Sequence, residues 1–344
     1  MAISRHSKPE NLAEKSDENE IEKVVENILR PKKLSDFVGQ KNLKENLAVM
    51  LGAAKNRGET APHLLFYGPP GLGKTTLSGI VAAEMGGNLK FCSGPAVEKA
   101  GDLAAILSNL EAGDILFLDE IHRLRRPVEE ILYSALEDFA LDIVVGKGPG
   151  ARSMRLSLPR FTLVAATTHL ASLSPPLRDR FGESFRLELY GIADLKKILR
   201  ANAAKLEISL SDAAAEILAK SARGTPRVAN RLLARLRDFA HFEKKSEISE
   251  NLARRALKKL GVDETGLTAA DRDFLEILAV KFAGGPVGLS TIAAATGEEK
   301  DTIENIREPF LIQNGFLTRT PKGRVLTAAA FDFLGVSPAG GGLF

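Results

Sequence analysis

The sequence predicts an α/β fold: a parallel sheet with helices on both faces, followed by a helical segment and a winged-helix head. Three observations carry that reading. From Pro31 to Tyr190, helical patterns alternate with short apolar runs, as in a sheet built from strand–helix–strand crossovers. The first apolar run leads directly into a glycine-rich phosphate loop. Near its end, the chain carries a helix–turn–helix pattern and then two short strands.

The strands are expected at His63–Tyr67, Leu89–Cys92, Asp114–Leu118, Phe161–Ala165 and Phe185–Leu189. Helices are expected near Asn42–Asn56, Thr75–Met85, Asp102–Leu110 and Val128–Asp138. Beyond the sheet, Val228–His241 is helical, with Leu232, Leu233, Leu236 and Phe239 spaced for core packing.

The phosphate loop runs from Gly68 to Thr76, with four residues between Gly68 and the Gly73-Lys74-Thr75 triplet. Glycines such as Gly71 and Gly73 let backbone N–H groups curl round a β-phosphate, and the following helix turns its positive N-terminus toward the anion. Lys74 reaches the β- and γ-oxygens as a point charge, the Thr75 hydroxyl takes a place on Mg²⁺, and Thr76 continues the loop into the helix. The chain therefore binds a nucleoside triphosphate.

Forty-five residues after Lys74, the apolar run Ile115–Leu118 ends in Asp119 and Glu120. A buried strand that delivers two carboxylates to the sheet's C-terminal edge places them where ligands bind in such folds. Asp119 would hold Mg²⁺, through water, and Glu120 would polarise the attacking water. The run from Phe161 ends in Thr167 and Thr168. Thr168 can bond a γ-phosphate or orient the lytic water, although a strand-end threonine also has an ordinary explanation in β-propensity. Arg180 can act as an arginine finger on a neighbouring subunit; taken alone, an ordinary surface ion pair with Asp179 is the favoured reading. Gly224-Thr-Pro opens the next helix at Arg227, which can reach the γ-phosphate from a lid.

In the head, Leu289–Gly297 is a short helix stopped by glycine, and Asp301–Asn314 is the second helix of the pair. Gly315–Thr327 folds as two strands about a Pro-Lys-Gly turn. Arg319, Lys322 and Arg324 fall on this wing, and no acid occurs between Glu308 and Asp332. Cations so spaced grip phosphates without reading sequence. A protein-contacting winged helix is the competing reading.

Composition narrows the class. The chain has 344 residues, 44% hydrophobic and 26% charged, which describes a globular protein of more than one domain. Cys92 is the only cysteine, so no intrachain disulfide forms. The apolar runs are too short for a membrane span, and residues 1–28 lack the apolar stretch of a signal peptide, so a cytoplasmic protein without membrane association is expected. The net charge of +3 is uneven. Residues 191–261 carry sixteen basic and eight acidic side chains, whereas residues 262–344 carry seven and eleven. Bulk charge alone does not make the head a nucleic-acid binder. The five histidines show no metal spacing and read as structural or surface groups.

The order of phosphate loop, acidic strand end, threonine, finger arginine and lid arginine resembles that of AAA+ ATPases. Finer stretches resemble the RuvB family of Holliday-junction branch-migration motors: Leu29-Arg-Pro-Lys with Asp36-Phe-Val-Gly-Gln40, Ser93-Gly-Pro-Ala, Asp119-Glu-Ile-His-Arg-Leu124 and Leu136-Glu-Asp-Phe139. Ser174-Pro-Pro-Leu-Arg-Asp-Arg-Phe-Gly182, Gly285-Pro-Val-Gly-Leu289 and Arg319-Thr-Pro-Lys-Gly-Arg-Val325 extend the match across residues 29–335. The resemblance implies a large ATPase domain over 29–190, a lid over 191–261 and a winged head over 262–336. Outside the match, residues 1–28, acidic and poor in aromatics, are expected to be a disordered tail, and the glycine-rich residues 337–344 a flexible end.

The resemblance also implies roles. Leu29, Arg30, Glu137, Asp138, Phe139 and Tyr190 match nucleotide-pocket positions, Thr168 the sensor, Arg180 the finger acting in trans and Arg227 the lid sensor. Arg319 and Arg324 match DNA contacts. Residues 141–158, with Gly146–Gly150 as the turn, match a hairpin that docks on the partner RuvA. The family works as a homo-hexamer on the duplex arms of a Holliday junction, with ATP and Mg²⁺, and with the resolvase RuvC in the larger complex. Two positions depart from the pattern: His169 replaces a usual Arg, and Arg307 a usual Tyr or Leu. The rival readings are a clamp-loader-like remodeller, disfavoured by the winged helix, and a non-hydrolysing scaffold, disfavoured by the intact Lys74, Asp119, Glu120 and Arg180.

Overall fold

A computed structural model describes residues 28–145, 152–263 and 265–337. The tail expected over 1–28 thus lies almost wholly outside the described residues, as do the hairpin turn Gly146–Gly150 and the end beyond residue 337.

The described residues fall into two compact units, one over 28–207 and 224–231, the other over 208–223 and 232–337. Compactness therefore divides the chain differently from the three consecutive domains expected. Gly224–Arg231 joins the first unit because backbone bonds hold it there: Tyr190 N–H donates to Gly224 O at 2.8 Å, and Arg227 N–H to Gly71 O at 3.3 Å.

The first unit is built on a five-stranded sheet in the order β2-β3-β6-β1-β7, all pairs parallel. Its strands are β1 (Leu64–Tyr67), β2 (Leu89–Ser93), β3 (Ile115–Asp119), β6 (Thr162–Thr167) and β7 (Glu183–Arg186). β4 (Ala140–Val145) and β5 (Arg152–Ser157) form a separate antiparallel hairpin. β1, β3 and β6 are apolar runs with both faces covered, as a parallel sheet between helix layers requires. Leu65, Leu116, Leu118, Leu163 and Ala165 pack one face against Leu103, Leu107, Leu132 and Ala135 of the neighbouring helices.

β7 begins and ends earlier than the expected Phe185–Leu189. It pairs only with β1, and β1 stops at Gly68, whose φ of 141° turns the chain away from the sheet. A Cβ on Gly68 would lie 2.5 Å from Leu187 O, so glycine is required where the two chains part.

The second unit holds a small helical layer and the winged head. Ser211 and Ser249 open helices Asp212–Ser221 and Glu250–Lys259 by accepting the amide protons of Ala214 and Leu252. The head packs helix Ala269–Phe282, helix Leu289–Thr296 and the wing strands β8 (Leu317–Thr320) and β9 (Gly323–Leu326) round Phe274, Leu278, Ile292, Ile303 and Leu311. The single helix expected over Asp301–Asn314 is instead Lys300–Thr302, a π-turn at Ile303–Arg307 and a helix Glu308–Gln313. Pro309 supplies the reason: it lacks the N–H for the carbonyl of Asn305, and its ring crowds that carbonyl, so the helix widens before restarting.

A buried ion chain runs through this unit. Asp271, fully buried, accepts from Arg223 and from Arg307 (3.0 Å), and also from Thr268 N–H and Oγ1 at 2.8 and 2.6 Å. Arg307 is in turn gripped by Glu298, and the Arg223 guanidinium lies 4.5 Å over the Phe310 ring. Arg307, one of the two departures, thus has a structural post.

Candidate nucleotide site and wing arginines

The C-terminal edges of β1, β3 and β6 open onto one cavity of ≈ 530 Å³ within the first unit. It is lined from three directions: by Gly71, Gly73, Lys74, Thr75 and Thr76 of the phosphate loop, by Asp119, Glu120 and Thr168 of the strand ends, and by Leu29, Arg30, Tyr190 and Arg227. Gly71 and Gly73 sit at φ of 80° and 100°, left-handed conformations that keep the loop's amides convergent. A Cβ on Gly71 would lie 3.1 Å from Arg227 Cβ, and one on Gly73 the same distance from the Phe37 ring.

Lys74 is buried, and its Nζ donates to Gly68 O at 2.7 Å and Pro69 O at 2.9 Å. Burial pushes its ammonium down to about 8; Asp119 and Glu120 oppose that shift, and Arg227 adds to it. A cation so poorly solvated gains much from an arriving phosphate.

Asp119 Oδ1 accepts the Glu120 amide at 2.9 Å. Glu120 itself adopts φ of 50°, an uncommon conformation for a residue with a side chain, and its carboxylate lies 3.4 Å from Arg123. Gly94 lies against the Glu120 carbonyl, where any Cβ would collide with the oxygen.

Behind the threonines stands a pair of histidines. Thr167 Oγ1, buried, shares a hydrogen bond of 3.0 Å with His122 Nδ1 and accepts the His169 amide at 3.0 Å. The His122 and His169 rings meet edge to face at 5.0 Å. Burial, reinforced by His169, lowers the pKa of His122, against the pull of Glu120 and Asp119. Tyr190 is buried and donates to Leu72 O at 3.4 Å; burial pushes its phenol up. Lys205 Nζ bonds Leu29 O at 3.0 Å, and Asn202 donates to Asn230 at 2.7 Å on the same wall.

Four expected residues do not line this cavity: Arg180, Glu137, Asp138 and Phe139. Arg180 donates to Glu137 at 2.7 Å and to Pro176 O at 2.8 Å, and its guanidinium lies 5.0 Å over Tyr133. Asp138 instead pairs with Arg155 of the hairpin at 2.6 Å. Phe139 packs against His63, Phe161 and Arg160. Glu137 closes the helix Arg126–Glu137, Asp138 and Phe139 follow it, and none of the three reaches the cavity.

On the wing, Lys322 and Arg319 are exposed and Arg324 is half-buried. Both arginines are ion-paired with the fully buried Glu308, through their Nε atoms at 2.6 and 2.7 Å.

With that geometry in hand, similarity to known proteins is decisive. Three family models match in sequence order: the Holliday junction DNA helicase RuvB P-loop domain over residues 29–187, the RuvB AAA lid domain over 190–263 and the RuvB C-terminal winged helix domain over 264–335. The chain belongs to the RuvB family. Among its relatives, the Holliday junction branch migration complex subunit RuvB of Thermomicrobium roseum is 57% identical over 92% of this chain and 90% of its own. That of Chloroflexus aggregans is 55% identical over 91% and 89%. A solved structure of the Thermotoga maritima RuvB Holliday junction branch migration motor superposes with a TM-score of 0.83 at 45% identity, covering 90% of this chain and 99% of that one.

Within this RuvB-family chain, sequence reading missed three parts of the site. The His122–Thr167–His169 cluster was invisible because the histidines stand far apart in sequence and lack metal spacing. Asn202, Asn230 and Lys205 lie on ordinary helices with no motif to mark them. Glu304 and Glu308 stand on the second helix of the pair with no motif to mark them, yet both meet the wing arginines.

Proposed function

We propose that this chain is the ATP-driven motor subunit of a Holliday-junction branch-migration complex, acting in homologous recombination and DNA repair. The carrying observation is the convergence of Lys74, Thr75, Asp119, Glu120, Thr168 and Arg227 on one cavity, in a RuvB-family chain that ends in a winged head. Lys74 and the loop amides hold the β- and γ-phosphates. Thr75 and Asp119 are hard oxygen donors suited to Mg²⁺, which when bound neutralises phosphate charge. Glu120 takes the proton of the attacking water, Thr168 fixes that water against the γ-phosphate, and Arg227 reports from the lid side. Leu29, Arg30 and Tyr190 enclose the base.

Arg180 lies outside its own chain's cavity, which suits an arginine presented to a neighbouring subunit in a homo-hexameric ring. Glu137 and Asp138 would accompany it there. The head grips duplex phosphates through Arg319, Lys322 and Arg324. The segment over residues 141–158, which takes in most of the β4–β5 hairpin, docks on RuvA, and RuvC acts in the larger assembly. No helix among the described residues is long and apolar enough to cross a membrane, and a cytoplasmic place of work during the SOS response fits that activity.

A synthetic four-way junction with a homologous core, mixed with the chain, ATP, Mg²⁺ and RuvA, tests the proposal. Duplex products should form and should vanish with Arg180→Ala or Glu120→Gln. ATP hydrolysis with no junction movement, RuvA present, would leave an AAA+ remodeller as the better reading.

A further inference from the structure

Two acids share the two wing arginines, one from inside and one from outside. Glu308 is buried and takes Arg319 Nε on one oxygen and Arg324 Nε on the other. Glu304, in the π-turn, keeps 40% of its side chain exposed and lies 3.4 Å from Arg319 Nη2 and 3.6 Å from Arg324 Nη2. Arg319 is divided: its Nε edge faces inward to Glu308, and its Nη2 lies against Glu304, donating to the backbone carbonyl at 3.4 Å and pairing with the carboxylate. Arg324 leans further inward, giving Glu308 both Nε and, at 3.3 Å, the Nη2 that also neighbours Glu304. Across the β8–β9 ladder Arg319 and Arg324 are directly paired, so their side chains leave the wing side by side.

The physical consequences of the two acids are opposite in sign. Guanidinium stays charged at any working pH, so both arginines need counter-charge whether or not DNA is present. Glu308 lies beyond a ligand's reach and fixes the direction of both forks. Glu304 is half in water, and its carboxylate occupies a position from which a phosphate oxygen could take the same nitrogens. The pair of terminal nitrogens converging on one carboxylate is also the geometry that receives one phosphate.

We propose that Glu304 is a built-in phosphate surrogate, displaced from Arg319 and Arg324 when a DNA phosphate binds, and that Glu308 is the positioning residue that keeps both guanidiniums aimed. The inference rests on the reading of the head as a DNA-binding element. Glu304 then acts as a brake on affinity. It also flattens the salt dependence, because a carboxylate released from its arginines takes up a cation as the DNA releases one.

Anisotropy titration of a fluorescein-labelled duplex with the full chain, from ~50 to ~200 mM salt, tests this. Glu304→Gln should bind about threefold or more tighter at the lowest salt, the scale of one exposed ion pair. Its slope of log K against log salt should be steeper by about one. Glu308→Gln should bind more weakly. Glu304→Ala is the second variant and should share the sign of Glu304→Gln. Equal or weaker binding by both Glu304 variants, with the double variant Arg319→Ala/Arg324→Ala impaired, overturns the surrogate while leaving the DNA-binding wing intact. Unchanged binding by that double variant removes the wing reading itself, and the surrogate with it.

Discussion

Glu120 and Gly94 meet backbone to backbone: the Glu120 carbonyl oxygen occupies the space that a Cβ on Gly94 would need. Glu120 holds φ of 50° directly after β3, so its carboxylate is aimed by a turn that the neighbouring segment must leave room for. Gly94→Ala should push that turn aside and displace the proposed base. Displacements on the order of 1 Å cost about 100-fold in rate. ATP turnover should fall by about 10- to 100-fold while binding of a fluorescent ATP analogue changes little; equal losses in both would point to general collapse of the site.

Arg180 is held by Glu137 and Pro176 O, away from its own chain's cavity. Arg180→Ala should lower turnover by about 10³-fold, the scale of a finger arginine. Mixing Arg180→Ala chains with Glu120→Gln chains should restore part of the activity, because some interfaces then combine an intact base with an intact finger. An inactive mixture would mean that Arg180 serves its own site.

His63 gives stability a pH dependence of its own. Its Nδ1 accepts the Leu163 amide at 2.9 Å, leaving Nε2–H to donate to Leu136 O at 3.1 Å. Burial pushes its pKa from 6.5 to about 4, against the Leu136 bond. Between those values the unfolded chain holds the extra proton, so this group's contribution is complete above pH 6.5 and falls as the pH drops toward 4. Thermal melts should show that decline, and His63→Gln should be less stable at pH 7 yet flatter across the same window.

Asp271 is the acid on which two arginines converge. Asp271→Ala would strand Arg223 and Arg307 as buried charges with partial compensation, a loss of about 3–5 kcal/mol. Denaturant melts monitoring the second unit should detect it. A loss under about 1 kcal/mol would mean that water reaches both arginines.

The sheet was legible because each of its central strands is an apolar run ending in a residue with a reason to be there: Gly68, Asp119 and Thr167. The cavity followed, since those ends share an edge once the strands are parallel. What stayed hidden depends on contacts between segments with no common periodicity. Glu308 lies eleven residues from Arg319 and sixteen from Arg324, and only the wing's antiparallel return brings both arginines to it. The π-turn needed the steric consequence of Pro309 rather than an amphipathic pattern. Glu137, Asp138 and Phe139 were expected at the pocket by resemblance, and they lie instead with Arg180, Arg155 and the hairpin base. Sequence distance from the phosphate loop says nothing about which edge of a molecule a helix ends on.

The ion chain from Arg223 through Asp271 and Arg307 to Glu298 joins the residues just before Gly224 to the π-turn of the head. Greasy surfaces creep over one another under load, since a methyl group is content in many neighbouring positions. A guanidinium fork on a buried carboxylate has one seat, and leaving it exposes bare charge. Such a joint has no backlash. A twist entering at Arg223 would meet this chain of seats before it met any apolar surface free to slide, and small slips would each expose charge.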